Sequence, residues 1–234
     1  MKVTLLASTK LNFPDDPFEW EGPLVDLTNE LDYAVNAESD ADDLAEFAGR
    51  ACYQSWNRPN PKTATNDGYL KNILDQKHES VLEHASATFY IEGISRYLTH
   101  ELVRHRHGQW SQLSTRYVDV TEAVRHPSMS DYEWETYQVY FEESVYIYER
   151  QYELMRERGL SKKEAREAAR FFLPGGIETK IVMTGNMRAY RDILKKRHHV
   201  AADKEIQALA SEILRQLREI APNSFQDIPE EPYE

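Results

Sequence analysis

The chain of 234 residues contains a single cysteine, Cys52. One cysteine excludes an internal disulfide and any zinc cluster built on several thiolates, and such scarcity is typical of a reducing compartment. A cysteine nucleophile would have to be this residue. Arg50 is its one nearby cation in the sequence, so little favours a thiolate there, and we interpret Cys52 as a packing residue.

Long apolar runs are also lacking. No stretch approaches the roughly 18 apolar residues of a membrane-spanning helix. The opening stretch MKVTLLASTKLNFPDD reaches acids and prolines too early for a secretory signal. We therefore expect a cytoplasmic protein without membrane association.

Positive charge is scarce, with 28 Lys and Arg against 40 Asp and Glu and a net charge of -12. This balance repels nucleic acid phosphates and anionic lipid at long range, and so disfavours general binding to either. Residues 1–46 hold twelve acids against two lysines, a pattern typical of a solvated acidic surface. We expect this segment and the tail 222–234 to be peripheral to a single domain spanning 1–234, because no repeat or linker divides the chain.

Residue periodicity predicts both strands and long helices, hence an α+β fold. Strands are predicted over 3–7, 85–93 and 178–184, and a loop over 13–23. Helices are predicted over 44–53, 66–77, 96–106, 130–158, 161–172, from 186 onward, and over 202–220, with a loose tail after them.

The stretch RHRHGQWSQLSTRY, residues 104–117, concentrates three arginines and two histidines in this acidic chain. On a helix over 96–106, Leu98, Leu102 and His105 share one face. Arg104 and Arg106 then point about 160° apart, which suggests two ligands or two subunits. The segment after Gly108 is predicted to be a loop that leads into a short strand.

Arginine offers a planar fork of donors that matches a phosphate or the edge of a pyrimidine. Surface arginines paired with acids are the ordinary alternative. Gln112, Ser114 and Arg116 favour a nucleotide site, because they add uncharged donors and another cation to the same segment. Ser114 is more plausibly a binding hydroxyl than a nucleophile, since no GxSxG surrounds it.

Metal binding is the rival explanation for the histidines. His100, His105 and His107 form neither an HExxH nor a Cys/His pattern, and the neighbouring arginines repel a divalent cation. His78 and His84 are interpreted as packed or surface residues, and His198 as lying at a helix end. We therefore predict no metal site.

Four ordered motifs resemble the flavin-dependent thymidylate synthases, the ThyX family. Arg104, His105 and Arg106, followed after seven residues by Ser114, match its RHR-x7-S signature. HESVLEHASATFYIEGISR at 78–96, AARFFLP at 168–174 and TGNMRAYRDILKKR at 184–197 are similar to three further family segments. GRACYQSW at 49–56 resembles the actinobacterial and phage branch.

This resemblance implies an enzyme that makes dTMP from dUMP, with methylenetetrahydrofolate as carbon donor, FAD as redox cofactor and NADPH as reductant. It implies a homotetramer with active sites shared between subunits, in which the serine segment comes from another protomer. The protomer would be a mixed α/β domain with a central, mostly antiparallel sheet flanked by long helices.

Site residues follow from motif position. The resemblance implies that Arg197 is the catalytic arginine that acts on the uracil. Implied FAD contacts are Ser80, Arg104, His105, Arg106, Gln112, Asn186 and Arg188. Implied dUMP contacts are Glu101, Arg104, Gln112, Ser114, Thr115, Arg116, Arg170 and Arg197.

Four residues depart from the family pattern. Gly108 and Gln109 replace a common Ser or Phe-Ser, Asp192 replaces a common Asn or His, and Ala201 replaces a usual histidine. We leave Asp192 out of the predicted set for this reason. A non-catalytic nucleotide or flavin sensor is the alternative function, although a sensor would not need Arg197. Single-stranded nucleic acid binding through Trp110 and Tyr117 is disfavoured by the net charge.

Overall fold

One antiparallel sheet lies at the centre of the protein, in the strand order β1-β2-β4-β3. The structure is a computed structural model that describes residues 1–12, 39–53, 55 and 60–234. The strands are β1 (Lys2–Ser8), β2 (Ser86–Ser95), β3 (Gln109–Gln112) and β4 (Glu178–Asn186). The predicted loop over 13–23 lies outside the described residues.

Alternating side chains on the two central strands explain why one face of the sheet is buried. Phe89 pairs with Met183 and Ile91 with Ile181, and all four are fully buried. Side chains of successive strand residues point to opposite faces, so this register puts the four on one face. On the other face Thr88 and Thr184 share a hydrogen bond of 2.9 Å between their hydroxyls.

Seven α-helices flank the sheet in the described part of the chain. They are α1 (Asp40–Tyr53), α2 (Asn66–Asp75), α3 (Arg96–Leu102), α4 (Asp131–Glu157), α5 (Lys162–Ala169), α6 (Met187–Arg197) and α7 (Lys204–Ile220). The apolar face of α7, with Ile206, Leu209, Ile213 and Leu217, packs in the same core as the sheet. The predicted α+β class with an antiparallel sheet and long helices is confirmed.

Helix starts follow the capping residues of the sequence. Ser130 and Ser161 each accept a hydrogen bond from the third residue of α4 and α5, and Glu133 and Glu164 complete the two capping boxes. Asn186 caps α6 by accepting from the backbone N–H of Ala189 at 2.8 Å. The predicted starts of these three helices are confirmed.

Two local predictions around residue 104 are wrong. The helix predicted over 96–106 ends at Leu102, because the chain tightens into turns closed by N–H groups of Arg104 and His105 on the carbonyls of Glu101 and Leu102. The expected order of loop then strand is reversed. β3 pairs with β4 over Gln109–Gln112, and the loop follows it.

The tail after residue 221 is not loose. Phe225 and Ile228 are buried in the core, and Arg191 of α6 donates to both carboxylate oxygens of Asp227 at 2.6 and 2.7 Å. His198, the C-cap of α6, contacts the carbonyl of Pro229 at 3.1 Å. Apolar burial and paired charges thus attach the tail to the domain, and the prediction of a loose tail is wrong.

Eight of the twelve acids predicted to form a solvated surface lie over 13–38, outside the described residues, and three of the other four are buried. β1 is an edge strand of the sheet, and Asp42 of α1 is fully buried. Its carboxylate accepts hydrogen bonds from both the backbone N–H and the hydroxyl of Ser224, while burial raises its pKa. Cys52 lies on α1 as predicted, but it is exposed, so its interpretation as a packing residue is wrong.

Candidate active site

A tight turn after α3 presents the cationic stretch 104–107. A Cβ atom on Gly108 would lie 2.5 Å from Cζ2 of Trp110, so only glycine lets this turn pack against the indole. The close approach gives a physical reason for Gly108, which departs from the family pattern. Arg104, Arg106 and His107 are exposed beyond it, whereas His105 points inward and is only 7% exposed.

Arg197, the last residue of α6, is held by three contacts from α3 and the following turn. Its Nε donates to Nε2 of His105 at 3.0 Å. One terminal nitrogen donates to Oε2 of Glu101 at 2.5 Å and the other to the Glu101 carbonyl at 3.3 Å. A guanidinium carries five N–H donors, so one donor on each terminal nitrogen remains for a ligand.

His105 is neutral in this arrangement. Burial lowers its pKa below the usual value of 6.5, and the charge of Arg197 lowers it further. Because Nε2 accepts from Arg197, the ring proton belongs on Nδ1, which lies 3.6 Å from Oδ2 of Asp192. Burial alone would raise the pKa of Asp192, but the hydrogen bonds and charge of Lys196, together with His105, outweigh it and lower the pKa.

Two neighbouring cavities meet at Asp192 and His107. One of about 350 Å³ is lined by Arg104, His105, Arg106, His107, Asp192, Lys196 and Arg197. The other, of about 500 Å³, is lined by Glu79, Glu83, His107, Asn186, Arg188, Ala189, Asp192 and Lys195. Arg104 and Arg106 therefore line one cavity. The helix on which they would point about 160° apart ends before them, so that predicted geometry is wrong.

A third cavity extends this region on the side of Arg188. It measures about 310 Å³ and is lined by Ser80, Arg188 and Cys52, among others. Ser80 belongs to a short 3-10 helix over Glu79–Glu83 and is exposed. The side chain of Arg188 is paired with Glu83.

A separate polar group forms where the loop after β3 meets the end of α5. Arg170 donates to the hydroxyl of Thr115 at 3.3 Å. Both residues, with Arg96, line a cavity of about 330 Å³ that has no acid among its lining residues. Burial and the charge of Arg170 lower the pKa of Arg96, as expected when two like charges share one site. The arrangement suits an anion.

Comparison with known proteins supplies the family. The model of the family described as "Thymidylate synthase complementing protein" matches residues 34–223. A "Probable flavin-dependent thymidylate synthase" of Mycobacterium phage L5 is 46% identical over 250 residues, which cover 100% of this chain and 99% of the relative.

Two further relatives agree. The protein of the same name in Mycobacterium phage D29 is 48% identical over 244 residues, which cover 100% of this chain and 98% of the relative. The "Flavin-dependent thymidylate synthase" of Mycolicibacterium vanbaalenii is 43% identical over 239 residues, with 97% and 89% covered. The chain belongs to the flavin-dependent thymidylate synthase family. It is an enzyme, and the predicted likeness to the actinobacterial and phage branch is confirmed.

Most residues predicted from the ThyX family motifs fall into the two polar groups just described. Glu101, Arg104, His105, Arg106 and Arg197 lie together, and Asn186, Arg188 and Ser80 line the adjoining cavities. Thr115 and Arg170 form the second group with Arg96. The cavity lined by Arg197 and the cavity lined by Arg170 share no lining residue.

Three further predicted residues also have contacts within the chain. Gln112 donates from its amide to the hydroxyls of Thr99 and Thr179 at 2.9 and 3.3 Å. Arg116 pairs with Glu167 at 3.0 Å. Ser114 is exposed, and its carbonyl accepts from the N–H groups of Tyr117 and Val118, which closes the turn of the loop.

Arg96 is the residue that sequence reasoning missed as a site member. It ends the family segment 78–96, but no role in the site was predicted for it from the sequence. Its closeness to Arg170, 74 positions later, becomes visible only in the fold.

Two findings on metals and membranes concern the described part of the chain alone. No group of three or more His, Cys, Asp or Glu residues there can hold a metal ion. None of the helices described is long and apolar enough to cross a membrane.

Proposed function

We propose that this protein converts dUMP to dTMP by reductive methylation, with FAD as hydride carrier, methylenetetrahydrofolate as carbon donor and NADPH as reductant. Family membership supports the reaction class. The single observation that carries the proposal for this chain is Arg197. Its guanidinium is fixed by Glu101 and His105 and keeps two N–H donors for a planar acceptor.

Those two donors suit the edge of a uracil ring. A guanidinium fork can donate to the uracil O2 and stabilise the ring with N3 deprotonated, which polarises C5 and C6. Glu101 and His105 hold the fork in place before the substrate arrives, so little reorganisation is needed on binding. An exposed Cys52 outside this group is not needed as a nucleophile.

The cavities beside Arg197 fit a flavin by the chemistry of their donors. Asn186 uses its side-chain oxygen as a helix cap, so its amide N–H groups remain for a ligand. Arg104, Arg106 and Arg188 add cations that suit a pyrophosphate, and Ser80 adds a hydroxyl. When bound, FAD would supply the hydride, and the residues of the chain would bind and align the planar ligands.

The phosphate of dUMP fits the second polar group. Arg170 and Arg96 would provide two cations and Thr115 a hydroxyl, with Ser114 and Arg116 in the same loop. We propose a homotetramer in which the loop of one subunit completes the site of another. The cavities lined by Arg197 and by Arg170 share no lining residue within one chain, which supports a site shared between subunits.

A titration of the purified protein, supplied with FAD, tests binding. We expect flavin absorbance that stays with the protein on gel filtration and changes on addition of dUMP. Arg170→Ala should keep the flavin but require far more dUMP for the same spectral change. Failure of the wild-type protein to retain FAD, or an unchanged spectrum at millimolar dUMP, would overturn the proposal. Binding of both without dTMP formation would favour the non-catalytic sensor.

A further inference from the structure

Three residues near the C-terminal end of α5 contact the loop that follows β3. Arg170, at the end of α5, contacts Thr115, and Glu167 pairs with Arg116 at 3.0 Å. Arg166, one helical turn before Arg170, donates to the carbonyl of Tyr117 at 3.1 Å. The loop over 114–117 therefore depends on α5 for its position.

Asp119, just beyond this loop, joins it to two helices. Arg166 of α5 donates to both of its carboxylate oxygens, at 2.7 Å from Nε and 2.5 Å from a terminal nitrogen. The hydroxyl of Tyr148 on α4 donates to Oδ1 at 2.7 Å. These three hydrogen bonds fix the plane of the carboxylate, because a bidentate arginine and a third donor leave it one orientation.

The surroundings make this pair stronger than an ordinary surface ion pair. Asp119 is 51% exposed at its side chain, but Arg166 is 19% exposed and Tyr148 is buried. The hydrogen bond from Arg166 lowers the pKa of Asp119, and the bond from Tyr148 lowers it further. The carboxylate is therefore ionised at neutral pH and pairs with a partly desolvated guanidinium. Salt screens the attraction in such a pair less than in a fully exposed pair.

We propose that Asp119 is a positioning residue for the nucleotide. Held by Arg166 and Tyr148, it fixes the end of the loop and so keeps Ser114, Thr115 and Arg116 in the arrangement that receives dUMP. The inference rests on the proposed function. Ordering a free loop costs conformational entropy, and a loop ordered in advance saves that cost on binding. Partial loss of order should weaken dUMP binding by roughly tenfold to a hundredfold.

The test compares dUMP binding by calorimetry in the protein supplied with FAD. Asp119→Ala should raise the dissociation constant of dUMP by tenfold or more and leave flavin retention unchanged. Tyr148→Phe, which removes only one hydroxyl, should have a smaller effect. The double variant should bind like Asp119→Ala alone, because the hydroxyl acts through the carboxylate. Glu212→Ala, which breaks the exposed bidentate pair with Arg215, is the matched control and should bind as wild type does.

Amide hydrogen exchange gives a readout that needs no nucleotide. In Asp119→Ala, the amides of Tyr117 and Val118, which close the turn, should exchange about tenfold faster, with β4 unchanged. A dUMP affinity within twofold of wild type, or equal loss of flavin and dUMP, would overturn the inference. If wild-type protein binds no dUMP, the proposed function fails. Unchanged amide hydrogen exchange in Asp119→Ala would then also refute the role of Asp119 in fixing the loop.

Discussion

Arg197 shows at the residue scale how neighbours prepare one side chain for chemistry. A free arginine on a helix end samples many rotamers, whereas this one is fixed by a carboxylate, a carbonyl and a neutral imidazole. The contact to His105 requires an unprotonated Nε2. The buried histidine thus links the position of the arginine to pH.

The protonation of His105 gives a prediction with a definite sign. His105 has a pKa near 6.5 in the unfolded chain and a lower pKa in the folded chain. Between these two pKa values the unfolded state therefore binds more protons than the folded state. The contribution of His105 to stability is therefore complete above pH 6.5 and falls as the pH drops below it. The neighbouring charges are Arg197, Asp192 and Lys196.

Nitrogen NMR of the imidazole rings checks this prediction directly. We expect His105 to titrate below 6.5 and to carry its proton on Nδ1 when neutral. Urea unfolding between about pH 5 and 7 should show a smaller loss of stability on acidification for His105→Gln than for wild type. A midpoint above 6.5 for His105 would contradict the assigned contact with Arg197.

Helix α6 shows at the element scale how one residue can serve folding and binding together. Asn186 caps the helix with its oxygen and lines the cavity of about 500 Å³. Asn186→Asp retains an acceptor for the cap and removes the amide donors. We expect Asn186→Asp to keep wild-type stability but to bind flavin about tenfold more weakly, and Asn186→Ala to lose about 1 kcal/mol as well.

Thermal unfolding and flavin titration separate these two roles. Ser130→Ala is the control, because it removes the cap of α4 and should cost about 1 kcal/mol without changing flavin affinity. Flavin binding by Asn186→Asp equal to wild type would show that the amide makes no contact with the cofactor.

The helices and strands also show which structural features can be predicted from local sequence. Capping boxes at Ser130 and Ser161 and alternation in 178–184 act within a few residues, and the predicted helix starts and strand are correct there. The end of α3 was missed because it depends on Gly108 packing against Trp110 and on β3 joining β4, which are tertiary contacts. The closeness of Arg96 to Arg170 was missed for the same reason.

At the scale of the whole molecule, the two ends of the described chain complete the core. Asp42 of α1 accepts from Ser224, Arg191 of α6 donates to Asp227, and Phe225 is fully buried. The sequence of the tail, with three prolines and four acids over 222–234, looks solvated, and only the fold shows what it covers.

Removal of one tail side chain should therefore destabilise the entire domain. Phe225→Ala should lower the free energy of unfolding by about 3–5 kcal/mol, since it leaves a cavity in the core. Urea denaturation measures this, with Tyr132→Ala, at an exposed position of α4, expected within about 0.5 kcal/mol of wild type. A loss below about 1 kcal/mol for Phe225→Ala would mean that the tail packs less tightly than described.

The most direct test of the proposed reaction is dTMP formation by the purified protein with dUMP, methylenetetrahydrofolate, FAD and NADPH, followed by chromatography of the nucleotides. We predict dTMP from the wild type, none when NADPH is omitted, and a loss of at least about a hundredfold in Arg197→Ala, which should still retain flavin. No dTMP from wild-type protein that binds both flavin and dUMP would contradict the proposed reaction, and near-normal turnover by Arg197→Ala would contradict the role of its guanidinium.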